Sequence, residues 1–205
     1  MPHFYRLVSL LAASALGLLT AACSASADPA QYRAYLADPA HGLTQTVAVA
    51  GTTITCAYRP AELLVWQEVG NRALPPAARD SVARAYAGKT YCTLTFTRHG
   101  QELENEYASQ PQVRQQVLDY LHRGIAADAF LATAPNDSVP ATASFYVQQH
   151  GLSGHSTVVL VFATPRRGAT NGFHLALRGQ ALGLGRQRFF FPPRALAALP
   201  PLRYD

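Results

Sequence analysis

Apolar positions along this chain keep three rhythms, and each predicts a different kind of element. The first is an unbroken run over residues 7–19, behind a single cation at Arg6. The second is strict alternation, the mark of a strand with one buried face. It covers 46–50 and 52–58, split by Gly51 and read as a strand with its partner or as one bulged strand. It covers 89–98, the cleanest case, and then 128–133, 143–149, 157–163, 173–178 and 188–191. The third rhythm has the three-to-four spacing of helices. Asp28-Pro29 is an N-cap with Pro at the first helical position, ahead of Tyr32, Tyr35 and Leu36. Pro60 opens a helix carrying Leu63, Leu64, Trp66 and Val69, closed near Gly70, and a second helix spans 76–87. Ser109-Gln110-Pro111-Gln112 reads as a capping box. The helix it starts shows Val113, Val117, Tyr120 and Leu121 on one face, with Gly124 as its stop. A last helical turn falls at 193–199.

Helices gather in the first two thirds and strands in the last, where turns at 135–137, 150–151 and 168–172 are short. Short links favour antiparallel pairing over parallel crossovers. The expectation is a single α+β domain, an antiparallel or mixed β-sheet with helices packed mainly on one face. The runner-up architecture is a curved half-barrel holding the long helices. There is no internal repeat and no sign of a second domain.

Composition agrees with a packed domain: of 205 residues, 49% are apolar and 14% charged. The formal charge of +5 is unevenly spread. Residues 23–165 hold nine Lys/Arg against eleven acids, whereas 166–205 hold seven Arg against one acid. A basic tail suits phosphate head groups, acidic glycans or an acidic partner. Solvated arginines reflecting base composition are the plainer account of the same numbers. No nucleic-acid partner is expected.

The leading apolar run is only about 20 Å long as a helix, short of the ~30 Å hydrocarbon core. It ends in Thr20-Ala21-Ala22-Cys23. This segment resembles the signal peptide and lipobox of bacterial lipoproteins, although Thr20 stands where that family most often has Leu. The resemblance implies cleavage of 1–22, lipid attachment at Cys23 and a membrane partner reached through acyl chains. With Ser24 rather than Asp after the cysteine, it also implies the outer membrane as the favoured address. A tether, 23–31, would precede a domain at 32–205. The rival is ordinary secretion, cut after Ala25-Ser26-Ala27, which would discard Cys23.

Candidate chemistry is sparse. Cys56 and Cys92 share parity with the apolar faces of their strands and form a candidate disulfide in an oxidising compartment. Two buried free thiols are the alternative. His150 and His155 flank a glycine-rich turn without an acidic or cysteine partner nearby, so no metal is expected. Gly151-Leu152-Ser153-Gly154-His155 lacks the spacing of a nucleophile elbow. Gly183-Leu184-Gly185 lacks the third glycine and the helix of a dinucleotide loop, so no cofactor is expected, and its glycines suit a bulge or tight turn. Glu102, Glu104 and Glu106 at period two read as an exposed edge strand, with calcium as the competing reading. Arg186, Arg188 and Phe189-Phe190-Phe191 suit a strand meeting a membrane surface or partner groove, or more simply one buried on both faces.

Residues 35–43, followed by a strand and Tyr58-Arg59-Pro60, resemble the start of a group of uncharacterised bacterial envelope lipoproteins. That resemblance implies a small lipid-anchored domain and no known activity. Without a convergent catalytic set, the expectation is a non-enzymatic binding or assembly module with a protein partner in the envelope. The alternatives are an envelope hydrolase acting on a wall polymer or lipid, and a small-ligand-binding lipoprotein.

Overall fold

The computed structural model describes residues 26–70, 72, 75–134, 137–149 and 152–204. Cys23 and the leader lie outside the described residues, as do His150, Gly151 and part of the turn expected at 135–137. Eight strands are described: β1 (Thr44–Val49), β2 (Thr52–Arg59), β3 (Lys89–Arg98), β4 (Ala129–Ala134), β5 (Asp137–Val147), β6 (Ser156–Ala163), β7 (Phe173–Leu177) and β8 (Gln187–Phe191). They make one sheet in the order β1-β2-β3-β6-β5-β4-β7-β8, every pair antiparallel. The α+β class therefore holds, without the mixed pairing. Eight helices accompany the described strands: α1 (Pro29–Ala37), α2 (Ala61–Val69), α3 (Pro76–Tyr86), α4 (Leu103–Glu106), α5 (Pro111–Asp119), α6 (Ile125–Asp128), α7 (Gly168–Asn171) and α8 (Pro193–Ala197).

The sheet curls until its two edges nearly meet, close to the runner-up architecture. Right-handed twist accumulated over eight strands brings the edges together. The gap between them is spanned by one side chain. The Gln45 carboxamide of β1 donates from Nε2 to the Phe190 carbonyl of β8 and accepts the Phe190 N–H at 3.1 Å. It takes the place of a strand's peptide group. Across the interior, the Tyr58 ring of β2 lies 6.0 Å from Phe173 and 6.2 Å from Phe191. Edges so far apart in sequence thus share one core.

Alternation decides what fills that core. Ile54 and Cys56, Cys92, Leu94 and Phe96, and Val158, Leu160 and Phe162 point inward from β2, β3 and β6. Leu131, Leu175, Leu177, Phe189 and Phe191 do so from β4, β7 and β8. Burial of each such large side chain contributes about 1.5–3 kcal/mol. The long helix adds Val117, Leu121 and Ile125 at four-residue spacing. Gly124 does not stop it: α5 continues through a π-helical turn, Tyr120–Gly124, into α6. A Cβ on Gly124 would sit 2.8 Å from the Tyr120 ring, so glycine serves close approach here, not termination.

The helices serve two hydrophobic clusters. A second cluster joins α1, α2 and α8 through Tyr32, Leu36, Leu63 and Ala195. The same cluster holds the ends of the domain. Ala27 pairs in parallel with Leu202, its N–H donating to the Pro201 carbonyl and its carbonyl accepting the Arg203 N–H, both at 2.9 Å. Tertiary contacts therefore begin inside the stretch assigned to the tether. Asp28 then caps α1 with a complete capping box to Gln31. No helix among the described residues is long and apolar enough to cross a membrane.

Residues 46–50 and 52–58 prove to be partner strands, joined through Ala50 (φ 48°) and Gly51 (φ 72°), a two-residue turn whose twist matches the hairpin. Cys56 and Cys92 do lie on neighbouring strands, but Cys56 pairs with Leu94 and Cys92 with Tyr58. They are diagonal neighbours across the β2–β3 ladder. Both are buried, free thiols. Burial, followed by a hydrogen bond with Cys92, pushes the Cys56 thiol well up.

Replacing Gln45 by Ala or Leu is expected to cost roughly 1 kcal/mol in urea unfolding, because two peptide groups at the sheet edges lose their partner. Unchanged stability in both variants would show that the closure contributes nothing.

Candidate functional site

Two polar assemblies stand out, one buried and one open. The buried one corrects the reading of the acidic row. Glu102, Glu104 and Glu106 are not on an edge strand: Glu102 precedes α4 and the others lie within it. A helical turn breaks the period-two face, and Glu102 and Glu104 are only 1% and 2% exposed. Glu104 accepts from the Tyr146 hydroxyl of β5 and, at 2.6 Å, from the Ser156 hydroxyl of β6. Ser156 Oγ in turn accepts the Leu103 N–H at 2.8 Å. Glu102 accepts from Asn105 Nδ2 at 3.1 Å, and Ser153 Oγ lies 3.2 Å from it and 2.7 Å from the His155 carbonyl. The network fastens α4 and the loop before β6 to the sheet. Its serine and carboxylate are shut off from solvent, so it is a structural tie rather than a place where substrate meets a nucleophile. Glu106 alone is open, its carboxyl held below the ordinary value by His99, 3.1 Å away, and by Gln101. Among the described residues no three His, Cys, Asp or Glu side chains gather as a metal site.

The open assembly lies on the outer face of β4, β7 and β8. Because Leu131, Leu175, Phe189 and Phe191 face inward, their neighbours Phe130, Ala132, His174, Ala176, Arg188 and Phe190 face outward. The register sets them in two rows across the sheet, Phe130–Ala176–Arg188 and Ala132–His174–Phe190. Ala132, Ala134 and Ala176 make a low floor, while Phe130 and the arginines form walls around a groove of about 620 Å³. Leu177 pairs with Gln187, so Arg178 and Arg186 follow at the same end of the two strands. The loop joining them is pinched. A Cβ on Gly179 (φ 63°) would stand 2.6 Å from the Gly185 carbonyl, which only glycine allows. In place of the bulge or tight turn expected of Gly183-Leu184-Gly185, residues 178–186 form a loop with a 3-10 turn, Gln180–Leu182, flanked by Gly179 and Gly183, and that loop brings arginines to the groove.

Arg178, Arg186 and Arg188 all line it, and none makes an ion pair among the described residues. The Arg178 guanidinium carbon lies 4.7 Å from the Phe130 ring centroid, a cation–π contact that steadies it. His174 stacks on Phe190 with centroids 4.5 Å apart. Burial, then the neighbouring Arg188, lowers the His174 pKa and favours its neutral form at pH 7. Thr133 and Ser138 add hydroxyls, with Thr133 donating to the Asp137 carboxylate. The groove is thus concave and lined by three arginines, an imidazole and two hydroxyls. Arg186, Arg188 and the triple Phe were expected most simply as a strand buried on both faces, and the structure corrects this. Phe190 is 41% exposed between two buried rings. Arg178 carried no signal of its own, since only the turn brings it beside Arg186.

No family model and no curated protein matches the chain. A solved structure from Burkholderia pseudomallei K96243, described as a novel protein of unknown function, is similar at 15% identity, covering 83% of this chain and 88% of its own, with a TM-score of 0.39.

Buried tyrosines give the fold a predictable alkaline limit. Burial and Glu104 raise Tyr146, burial and Asp128 raise Tyr120, and burial pushes Tyr58 up to about 12 from 10.0. The native state keeps phenol protons that the unfolded chain releases near pH 10. Stability is therefore fully present below pH 10 and falls as pH rises toward the folded values. Chemical denaturation between pH 8 and pH 12 should show this fall, made shallower by Tyr146→Phe. At pH 7 the same variant should cost about 1–3 kcal/mol, since a buried carboxylate loses a donor. A flat alkaline profile would contradict the burial.

Proposed function

We propose that this chain is a lipid-anchored, non-enzymatic binding module of the bacterial cell envelope that holds an anionic ligand in its arginine groove. The observation that carries the reading is the groove itself, with three arginines that have no ion-paired partner among the described residues. Its volume falls within the range of small-ligand sites. That favours a small-ligand-binding lipoprotein over a module that only assembles with other proteins. The hydrolase reading gains no support, because the serines near carboxylates serve a closed network.

Anchoring at Cys23 draws support from the paired ends of the domain. Only three residues separate Cys23 from Ala27, so the link reaches about 13 Å at full extension. The domain would rest against the bilayer, on two or three acyl chains. The rival cut after Ala27 would remove the residue that pairs with Leu202, along with two backbone hydrogen bonds.

A protein partner is favoured by one separate feature. Phe145 (60% exposed) and Val147 stand on the outer face of β5, Phe145 opposite Val159 of β6.

Intact mass and detergent partitioning test the anchor. The native protein should lack its first 22 residues, carry added acyl mass and enter the detergent phase, and Cys23→Ala should abolish the acyl mass. A wild-type protein starting at Asp28 and remaining aqueous would overturn it.

A further inference from the structure

We propose that the groove recognises a phosphate ester: a dianionic phosphoryl group held by Arg178, Arg186 and Arg188, attached to an apolar or ring-shaped body lying toward Phe130. The inference rests on the groove being the ligand site and names what enters it. Charge sets the first requirement. Three arginines line the groove, none ion-paired among the described residues, and Asp137 is bonded to Thr133 of the lining. A monocarboxylate brings one negative charge to them. A phosphomonoester brings about −1.5 to −2 at neutral pH.

Geometry sets the second. Guanidinium forks match phosphate and carboxylate oxygens in paired hydrogen bonds, and three arginines line one groove, Arg188 on β8 and Arg178 and Arg186 in the loop that joins β7 to β8. Three such forks suit an anion with three or more oxygens better than a carboxylate with two. The remainder of the space argues for an organic ester rather than inorganic phosphate. About 620 Å³ is far more than a phosphoryl group fills, and the floor beside the arginines is alanine with an aromatic wall. Two sources supply this chemistry, the head group of an anionic lipid and a free organic phosphate.

The full mature protein, in detergent if acylated, is titrated by calorimetry with phenyl phosphate and with short-chain phosphatidic acid below its micelle concentration. Benzoate and short-chain phosphatidylcholine are the controls. Phenyl phosphate is expected to bind at least tenfold tighter than benzoate, with affinity falling as salt rises. Arg188→Gln and Arg186→Gln, checked for wild-type unfolding profiles, should each weaken it roughly ten- to hundredfold. Bound phosphate should also raise the His174 titration midpoint read by NMR, because it offsets the field of Arg188. Tighter binding of phosphatidic acid than of phenyl phosphate assigns the site to lipid, and the reverse to a free ester. Equal binding of benzoate and phenyl phosphate overturns the phosphate assignment while leaving an anion site. Absence of binding by every anion, or binding indifferent to both arginine variants, overturns the anion-site reading as well.

Discussion

Gln45 supplies, with one carboxamide, the donor and acceptor that a further strand would offer to β8. A twisted eight-stranded sheet left open would present two rows of unpaired peptide groups, a hazard for edge-to-edge association. Here the Phe190 N–H and carbonyl are both engaged by the Gln45 side chain, and the edges face one another rather than solvent alone. Closure makes one interior of strands from opposite ends of the chain. Tyr58 meets Phe173 and Phe191 there, and the long helix adds its Val117–Leu121–Ile125 stripe to the same core.

That closure also fixes the chemistry on the outside. In β8 the side chains alternate, so the register that buries Phe189 and Phe191 necessarily displays Arg188 and Phe190. A slip by one residue would put a guanidinium in the core and expose two rings, an exchange no packed interior tolerates. The arginine wall is therefore a consequence of how the phenylalanines pack. The turn at Gly179 and Gly185 completes it by bringing Arg178 and Arg186 to one end of the strand pair. On another part of the sheet the Glu104–Ser156–Tyr146 network fastens α4 without touching the groove. One polar assembly thus stabilises the fold while the other remains open to solvent.

Local pattern was legible where local pattern decides the outcome. Residues 89–98 alternate over ten positions and form β3 with those limits. Proline signals placed α1, α2 and α5, and Asp28 caps α1, whereas the capping box expected from Ser109 is not formed: Gln110 is the N-cap of α5 and makes no side-chain capping bond. What failed depended on partners remote in sequence or on two rules in competition. The glutamates at period two fit a strand, yet hydroxyls from β5 and β6 make burial in a helical turn affordable for the carboxylates. Pro140 hid the first half of β5, because proline breaks a ladder except where its missing N–H is not needed. The Gln45–Phe190 contact spans 145 residues and involves a residue type with no particular strand meaning, so no periodicity announces it. For the site, Arg186 and Arg188 with the triple Phe were visible as a cluster. Their meaning needed the inward or outward sense of each ring, which depends on what β8 packs against.

β8 is held on both sides, by β7 through the ladder and by Gln45 across the gap. Amide hydrogen exchange at Phe190 reads this directly. The Phe190 N–H should be protected to nearly the degree of the β7–β8 ladder amides in the wild-type protein, and Gln45→Ala should lower that protection while leaving β3 amides unchanged. Free exchange of the Phe190 amide in the wild-type protein would contradict the closure on which the shared core depends.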